Sequence, residues 1–201
     1  MYNIAIGHNA GAAITTGVQN TLIGSLAGDA ITDADVNVAI GMQSLSADTK
    51  GSKSVAVGAY TLIAQNFTSA TDTYNTAVGH AAGGSITTGV NNTLIGGLAG
   101  DAATTAEAIT AVGKGALSAN TTGNFNVAVG AIALLDNTTG ANNVAVGLSA
   151  LENNTTASNN TSIGHESLKA NTTGSFNVAV GGTALDANTT GANNNALGYG
   201  A

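Results

Sequence analysis

The stretch Asn126-Val127-Ala128-Val129-Gly130 decides the fold, because close copies of it recur along the whole chain. Each copy ends in a glycine, which we number position 0 of its repeat: Gly7, Gly24, Gly41, Gly58, Gly79, Gly96, Gly113, Gly130, Gly147, Gly164, Gly181 and Gly198. Every interval between these glycines is 17 residues except the 21 residues from Gly58 to Gly79. A fixed period of this size predicts a solenoid, in which each repeat forms one coil that stacks on the next.

The residues before each glycine predict a short β-strand. Position −1 is Ile or Val in eleven of twelve coils, position −3 is mostly Val or Thr, and position −2 is mostly Ala. β-Branched residues with a period of two, ended by Gly, are typical of strands. Successive side chains point to opposite faces, and here both faces are apolar or small. One face can fill the lumen of the coil, whereas the other needs a cover that a single coil cannot provide.

A second apolar element and a turn follow the glycine, as in Ala133-Leu134 and then Asn137 to Gly140. Asn and Gly tolerate left-handed backbone geometry, so Asn-Thr-Thr-Gly is interpreted as the turn into the next coil. The Leu is replaced by Gly in four coils: Gly11, Gly28, Gly83 and Gly100. Three of these coils place an Ile three residues later, which predicts compensation within the coil.

Composition excludes several classes of function. The chain has 201 residues, 7% charged, with a net charge of −7 and only four cationic side chains, all Lys. Nucleic-acid surfaces need clustered cations, so we expect no nucleic-acid partner. No apolar run approaches the length of a membrane span, so we expect no membrane insertion. The redox compartment is not indicated, since the chain has no Cys.

The repeat pattern covers residues 1–201, which we interpret as a single β-solenoid segment. No leader and no atypical capping repeat is apparent, and this favours a segment of a longer fibre. The long interval predicts a four-residue insertion within 59–78 that bulges from the shaft as a loop. If any residue contacts a receptor, Tyr60 and Phe67 in this loop are the candidates.

Asn at position −4 recurs in ten of the twelve coils and predicts a ladder of stacked amides. These residues are Asn3, Asn20, Asn37, Asn75, Asn92, Asn126, Asn143, Asn160, Asn177 and Asn194. The favoured interpretation is structural, with the amides satisfying polar groups at a turn. A row that binds sugars is the alternative.

Candidate metal sites are weak. His8, His80 and His165 each follow a repeat glycine but lie in distant coils, so they could share an ion only at the axis of a threefold assembly. Asp33 and Asp35, with Asp29 nearby, could hold calcium, although a solvated turn explains them as well. We therefore predict no cofactor and no bound metal.

No catalytic residues are apparent, so we predict that the chain is not an enzyme. No Ser or Thr recurs beside a His and an acid, no Cys is present, and no pair of carboxylates stands apart from turns. Thr at position +8 in ten coils raises the possibility of ice binding. Adjacent Thr residues on a strand point to opposite faces, however, so Thr-Thr does not place two ranks on one face.

The repeat Asn-x-Ala-(Ile/Val)-Gly, as in Asn37 to Gly41 and Asn177 to Gly181, resembles the head repeat of trimeric autotransporter adhesins. Its longer form, Asn126 to Gly130 with Ala133-Leu134 and Asn137 to Gly140, is similar to shaft repeats of phage tail fibres. The resemblance extends over essentially the whole chain. It implies a left-handed parallel β-roll in which three chains pack into one rod.

The resemblance therefore implies a homotrimeric segment of an attachment fibre, on a phage tail or a cell surface, that adheres to a host-surface protein or glycan. A self-assembling extracellular filament is the alternative, and an ice-binding protein is the less favoured one.

Overall fold

The computed structural model describes residues 2–201 and confirms the prediction of an all-β parallel solenoid without helices. Fourteen short strands are formed: β1 Ile4–Ile6, β2 Thr21–Ile23, β3 Val38–Ile40, β4 Gly51–Ser52, β5 Val55–Val57, β6 Thr71–Asp72, β7 Thr76–Val78, β8 Thr93–Ile95, β9 Thr110–Val112, β10 Val127–Val129, β11 Val144–Val146, β12 Thr161–Ile163, β13 Val178–Val180 and β14 Asn195–Leu197. All except β4 and β6 belong to one sheet, in which strands of successive coils are neighbours.

The coils stack in register, so residues one repeat apart lie side by side. Val127 pairs with Thr110 on one side and with Val144 on the other, and every pairing is parallel. The register survives the long interval, where Val55 of β5 pairs with Thr76 of β7. Hydrogen bonds between coils also continue outside the sheet, as from the Thr121 N–H to the Thr138 carbonyl at 2.9 Å.

Each repeat glycine lies where the backbones of successive coils approach most closely. The twelve glycines have φ between +130° and +142°, a region that side chains rarely adopt. A Cβ on Gly96 would lie 2.5 Å from the Gly113 carbonyl oxygen of the next coil. The glycine at the end of each strand is therefore required by the stacking itself.

Coils two to eleven each turn three further corners through left-handed residues, at positions +2, +4 and −5. Position +4 holds a buried Leu in most coils, for example Leu134 with φ of +52°. In the other coils the same corner holds a glycine, such as Gly28 with φ of +55°. The same position is therefore occupied by Gly in some coils and by Leu in others. Glycine is favoured there by the backbone conformation, whereas leucine is retained for its packing.

The lumen is filled by side chains from positions −2, +3, +4 and +7. In the glycine coils the strand itself supplies the missing volume. A Cβ on Gly11 and one on Gly28 would each lie 2.8 Å from a methyl carbon of Leu22, which projects from the centre of β2. Leu94 of β8 contacts Gly83 and Gly100 in the same way. Compensation therefore comes from the strand as well as from the predicted Ile residues.

The turn interpretation of Asn-Thr-Thr-Gly was incomplete, because its Asn is buried in the lumen. Asn137 donates to the Asn120 side-chain oxygen at 2.8 Å and to the Gly140 carbonyl at 3.0 Å. The same pair of bonds continues through Asn154, Asn171 and Asn188. These five residues form a second amide column at position +7. These Asn residues each begin an Asn-Thr-Thr triplet, which also matches the N-glycosylation acceptor pattern Asn-x-Thr. Because the first four are fully buried, they are closed to a transferase in the folded chain.

In the third and fourth coils the column is replaced by a buried polar network around Asp48. Its Oδ1 accepts from the N–H groups of Gly51 at 3.0 Å and Phe67 at 3.1 Å, and its Oδ2 accepts from Gln65 Nε2 at 2.6 Å. Gln65 Oε1 in turn accepts from Asn75 Nδ2 at 2.9 Å. The network has only one consistent arrangement of donors and acceptors.

The extra residues of the long interval fall beside this network. Residues 68–70 are exposed, and the chain then forms β6, which pairs with β4 as a separate two-stranded sheet. Lys53 donates to Asp72 at 2.5 Å and to Tyr74 at 3.2 Å, and these bonds raise the pKa of the Lys53 ammonium, the Asp72 bond most.

We expect Gly96→Ala and Gly97→Ala to differ sharply although the two residues are adjacent. A Cβ at position 96 overlaps the next coil and its φ is +135°, whereas a Cβ at position 97 meets nothing within 4 Å. Gly96→Ala should lower the free energy of unfolding by at least about 3 kcal/mol. Gly97→Ala should change it by less than about 0.5 kcal/mol. Thermal and denaturant unfolding followed by circular dichroism measure both, and equal effects would contradict the stacking geometry.

Asp48→Asn should destabilise the chain by about 1–3 kcal/mol, because its new amide faces the Gln65 amide and both are donors. Gln65 cannot turn to accept without losing its bond from Asn75. The matched control is Asp33→Asn, which removes the same charge from an exposed side chain. A denaturation midpoint that moves equally in both variants would argue against the network.

Candidate functional site

The large sheet presents one flat outward surface along the rod. Within β10, Ala128 is fully buried in the lumen while Val127 and Val129 on either side of it are partly exposed. The other strands of the large sheet repeat this alternation, except terminal β1, in which all three residues are exposed. We call the outward side chains at positions −3 and −1 the sheet face.

The sheet face consists of two parallel ranks without a charged residue. The rank at −3 is Ile4, Thr21, Val38, Val55, Thr76, Thr93, Thr110, Val127, Val144, Thr161, Val178 and Asn195. The rank at −1 is Ile6, Ile23, Ile40, Val57, Val78, Ile95, Val112, Val129, Val146, Ile163, Val180 and Leu197. All but six of these 24 side chains are Val, Ile or Leu.

Exposed apolar residues outside the sheet face lie immediately beside it. One flank is the left-handed corner at −5, and the other comprises positions +1 and +2. Among residues 2–201, every exposed large apolar side chain lies between −5 and +2: Tyr2, Ile4, Ile6, Val36, Met42, Tyr74, Val78, Ile95, Leu98, Phe125, Leu148, Ile163, Phe176, Val178, Leu197 and Tyr199. We call this part of the rod, positions −5 to +2, the apolar side.

Carboxylates avoid the apolar side. Of the eleven Asp and Glu residues, only Glu166 lies between −5 and +2. Glu166 accepts from Lys169 at 2.7 Å, and this hydrogen bond lowers the pKa of its carboxyl group. The rod is therefore amphipathic in cross-section: the sheet face is uncharged, the apolar side carries only Lys53, Lys114 and Glu166 as charged residues, and the opposite side is acidic and Thr-rich.

The predicted Asn residues at −4 occupy the inner edge of each strand and are mostly fully buried. Asn143 illustrates their bonds: its Oδ1 accepts from the Asn160 N–H at 3.0 Å and its Nδ2 donates to the Ala157 carbonyl at 2.9 Å. The amides thus bond mainly to the backbone of the next coil rather than to one another. Because the side chains are buried, they offer no row for a sugar.

The three His residues do not meet. His8 is exposed in the first coil, His80 packs edge-on against Tyr60 with ring centroids 5.7 Å apart, and His165 lies 3.8 Å from Glu166. Of the Asp residues considered for calcium, Asp35 and Asp33 have separate partners, whereas Asp29 Oδ1 is buried without a hydrogen-bond partner in the described part of the chain. Asp35 accepts from the Val18 N–H at 2.8 Å, and Asp33 lies 3.8 Å from Lys50. Within residues 2–201 no three potential ligands cluster as a metal site would require, and no pocket is present.

The surface-contact hypothesis for Phe67 is wrong. Its side chain is only 7% exposed, and it packs over Gly51, where a Cβ would lie 2.9 Å from the Phe67 ring. It covers the Asp48 network, since its own N–H donates to Asp48. Tyr60 is half-buried in a left-handed corner with φ of +60°. The exposed aromatic residue near the insertion is instead Tyr74.

The Thr residues at +8 lie opposite the sheet face and are bound to the backbone. Thr121 Oγ1 donates to the Thr138 carbonyl of the next coil at 3.0 Å, and Thr138 repeats this bond to Thr155. The rod does have two ranks of side chains on one face, but these are the −3 and −1 ranks of the sheet face and not the adjacent residues of Thr-Thr.

The aromatic residues at −5 were not recognised in the sequence. Phe125 and Phe176 immediately precede the repeat motif, where neighbouring coils have Asn142 and Asn159. Comparing that single column between coils would have revealed them.

Comparison with known protein families, with curated proteins and with solved structures finds no match to this chain. Among the described residues no helix is long and apolar enough to cross a membrane.

Asn143→Ala should lower the free energy of unfolding by about 1–3 kcal/mol, since it leaves the Asn160 N–H without a partner and removes one of the two donors to the Ala157 carbonyl, which keeps Asn154 Nδ2. The control is Thr139→Ala in the preceding turn, an exposed site where we expect a change within about 0.5 kcal/mol. Chemical denaturation checks both, and a neutral Asn143→Ala would show that the amide ladder adds little.

Proposed function

We propose that this chain is a non-enzymatic structural segment of a homotrimeric attachment fibre, on a phage tail or a cell surface. The apolar side is the observation that carries the proposal. In monomeric soluble proteins, extended apolar patches mark interaction sites, and here one patch runs through all twelve coils. With strands about 4.8 Å apart, this patch is on the order of 55 Å long.

The composition of the apolar side favours permanent burial. Charged residues are almost absent from it and aromatic residues flank it, as at the cores of stable interfaces. Copies of the same chain are the natural cover, because every coil needs covering along the same line. The number of three copies and the left-handed winding come from the resemblance to adhesin heads and tail-fibre shafts.

Adhesion to a host-surface protein or glycan would then use the opposite, polar side or regions beyond this segment. The bulge at 68–70 is the most prominent irregularity on the shaft and remains a candidate contact, with Tyr74 in place of Phe67. We propose no cofactor and no nucleic-acid partner, since the net charge is −7.

Ice binding is the second candidate, favoured by the two regular ranks of the sheet face. The rank at −3 holds Thr in five coils, beside the Val and Ile residues of an uncharged surface. That function requires the sheet face to be open in solution, whereas the fibre requires it to be covered. An open-ended filament, the remaining alternative, would have no discrete mass, and the ends of its chains would not need to be free.

Native mass spectrometry and sedimentation should give a discrete species three times the 19.3 kDa chain mass. A stable monomer would overturn the fibre proposal, and thermal hysteresis of that monomer would then support ice binding. A continuous distribution of lengths would support the filament instead.

Val129→Lys should convert the trimer to a folded monomer, because it would place three ammonium groups in the covered interface at a cost of several kcal/mol. The control is Thr139→Lys on the polar side, which should leave the trimer intact. Circular dichroism establishes that both variants are folded. Sedimentation of Val129→Lys as an unchanged trimer would exclude the sheet face as the interface.

A further inference from the structure

We infer that the exposed aromatic residues at −5 fix the axial register between copies of this chain. We call Tyr2, Tyr74, Phe125 and Phe176 the aromatic row. The inference rests on the proposed trimer and identifies what aligns its chains.

The need for such a device follows from the sheet face. Its ranks repeat at every coil, and position −1 is Ile or Val in eleven of twelve coils. Two copies that slip by one coil, about 4.8 Å, would still meet nearly the same side chains. Repetitive surfaces of this kind specify register weakly. A closed threefold assembly nevertheless requires all chains at the same height, because its rotation has no translation along the axis.

The aromatic row removes this ambiguity. Its members lie in the first, fifth, eighth and eleventh coils, so their spacings are four, three and three coils. A shift by any whole number of coils moves at least two of the four rings away from the row positions, so only zero offset brings all four rings to their partners at once. The rings are also accessible to a neighbouring copy, since Phe125 is 56% exposed and Phe176 is 57% exposed.

The backbone at −5 is a second, independent observation. Phe125 and Phe176 have φ of +59° and +62°, where Asn is favoured and a bulky residue is disfavoured. Asn142 and Asn159 occupy the same left-handed corner in the coils between them. The left-handed corner itself is shared by every coil from the second onward. What distinguishes the Phe residues is that they combine this disfavoured backbone conformation with exposed apolar surface, where Asn would suit the corner better.

The facing surface complements the row. All strands of the sheet run in the same direction across the rod, so a threefold rotation brings the −5 flank of one copy to the +1 flank of the next. In the two Phe coils the +1 residue is small, Ala131 or Gly182. In the coil of Asn142 it is the large Leu148. In these three coils the larger residue on one flank therefore opposes a smaller residue on the other at the same height, whereas Tyr2 and Tyr74 face His8 and His80.

The experiment uses disulfides, because the chain has no Cys of its own. Each pair places one Cys at Asn142, on the −5 flank, and the other on the +1 flank that the neighbouring copy presents. The second Cys replaces Leu148 to detect zero offset, His165 to detect a shift of one coil upward, and Ala131 to detect a shift of one coil downward. Each pair is built in the parent sequence and in Phe125→Asn/Phe176→Asn. Oxidation followed by non-reducing electrophoresis measures covalent dimers and trimers.

In the parent, only the zero-offset pair should give covalent oligomers. In Phe125→Asn/Phe176→Asn, the offset pairs should rise from trace to an amount comparable with the zero-offset pair. The unfolding midpoint of the isolated chain should not fall, since Asn suits the corner. The matched control, Asn159→Ser/Asn193→Ser combined with the same Cys pairs, should keep the parental pattern.

Three results overturn the inference while the proposed fibre stands: a parent trimer that cross-links equally at all offsets, a Phe variant that keeps zero offset alone, or a trimer in which no pair cross-links. A monomeric parent would overturn the fibre proposal itself, and the native mass separates that case from the others.

Discussion

The whole structure depends on the close approach of one coil to the next. At the end of each strand the backbone passes so near its neighbour that only a hydrogen atom fits on the α-carbon, as Gly96 against Gly113 shows. This approach aligns the strands, and the alignment places the amides of Asn143 and Asn160 within bonding distance. Hydrogen bonds between coils then run around the circumference, so that each coil is ordered by the two beside it.

The same alignment produces the surface of the rod. A coil with one strand of three residues can bury only the central side chain, so its two neighbours must point outward. Stacking repeats those two side chains into a face that no part of the chain covers. All Asp and Glu residues except Glu166, together with the Thr residues at +8, are placed around the remaining circumference, which keeps that side polar. An amphipathic rod is thus a direct result of a coil with a single strand.

Much of this fold was predictable, because period and composition act locally. The strands, the repeat glycines and the parallel stacking follow from spacing and from β-branched residues such as Val127 and Val129. The burial of Asn137 was not predictable, since Asn-Thr-Thr-Gly also satisfies the chemistry of an exposed turn. The burial of Phe67 depends on Asp48, a contact between coils that local pattern does not reveal. Left-handed leucines such as Leu134 contradict local preference and are retained through packing in the lumen.

The packing of the lumen determines where the rod can change in length. From Gly113 onward, coils share one internal arrangement, with Leu117, Leu134 and Leu151 at one corner and Asn120, Asn137 and Asn154 at another. If a whole coil is removed or duplicated there, the coils brought together have the same internal packing. Near the start of the chain, Leu22 fills space left by Gly11 in one coil and by Gly28 in the next, so these two coils form an inseparable pair. Growth or shortening by single coils is therefore compatible with the later part of the shaft, whereas the earlier part can be copied only in blocks.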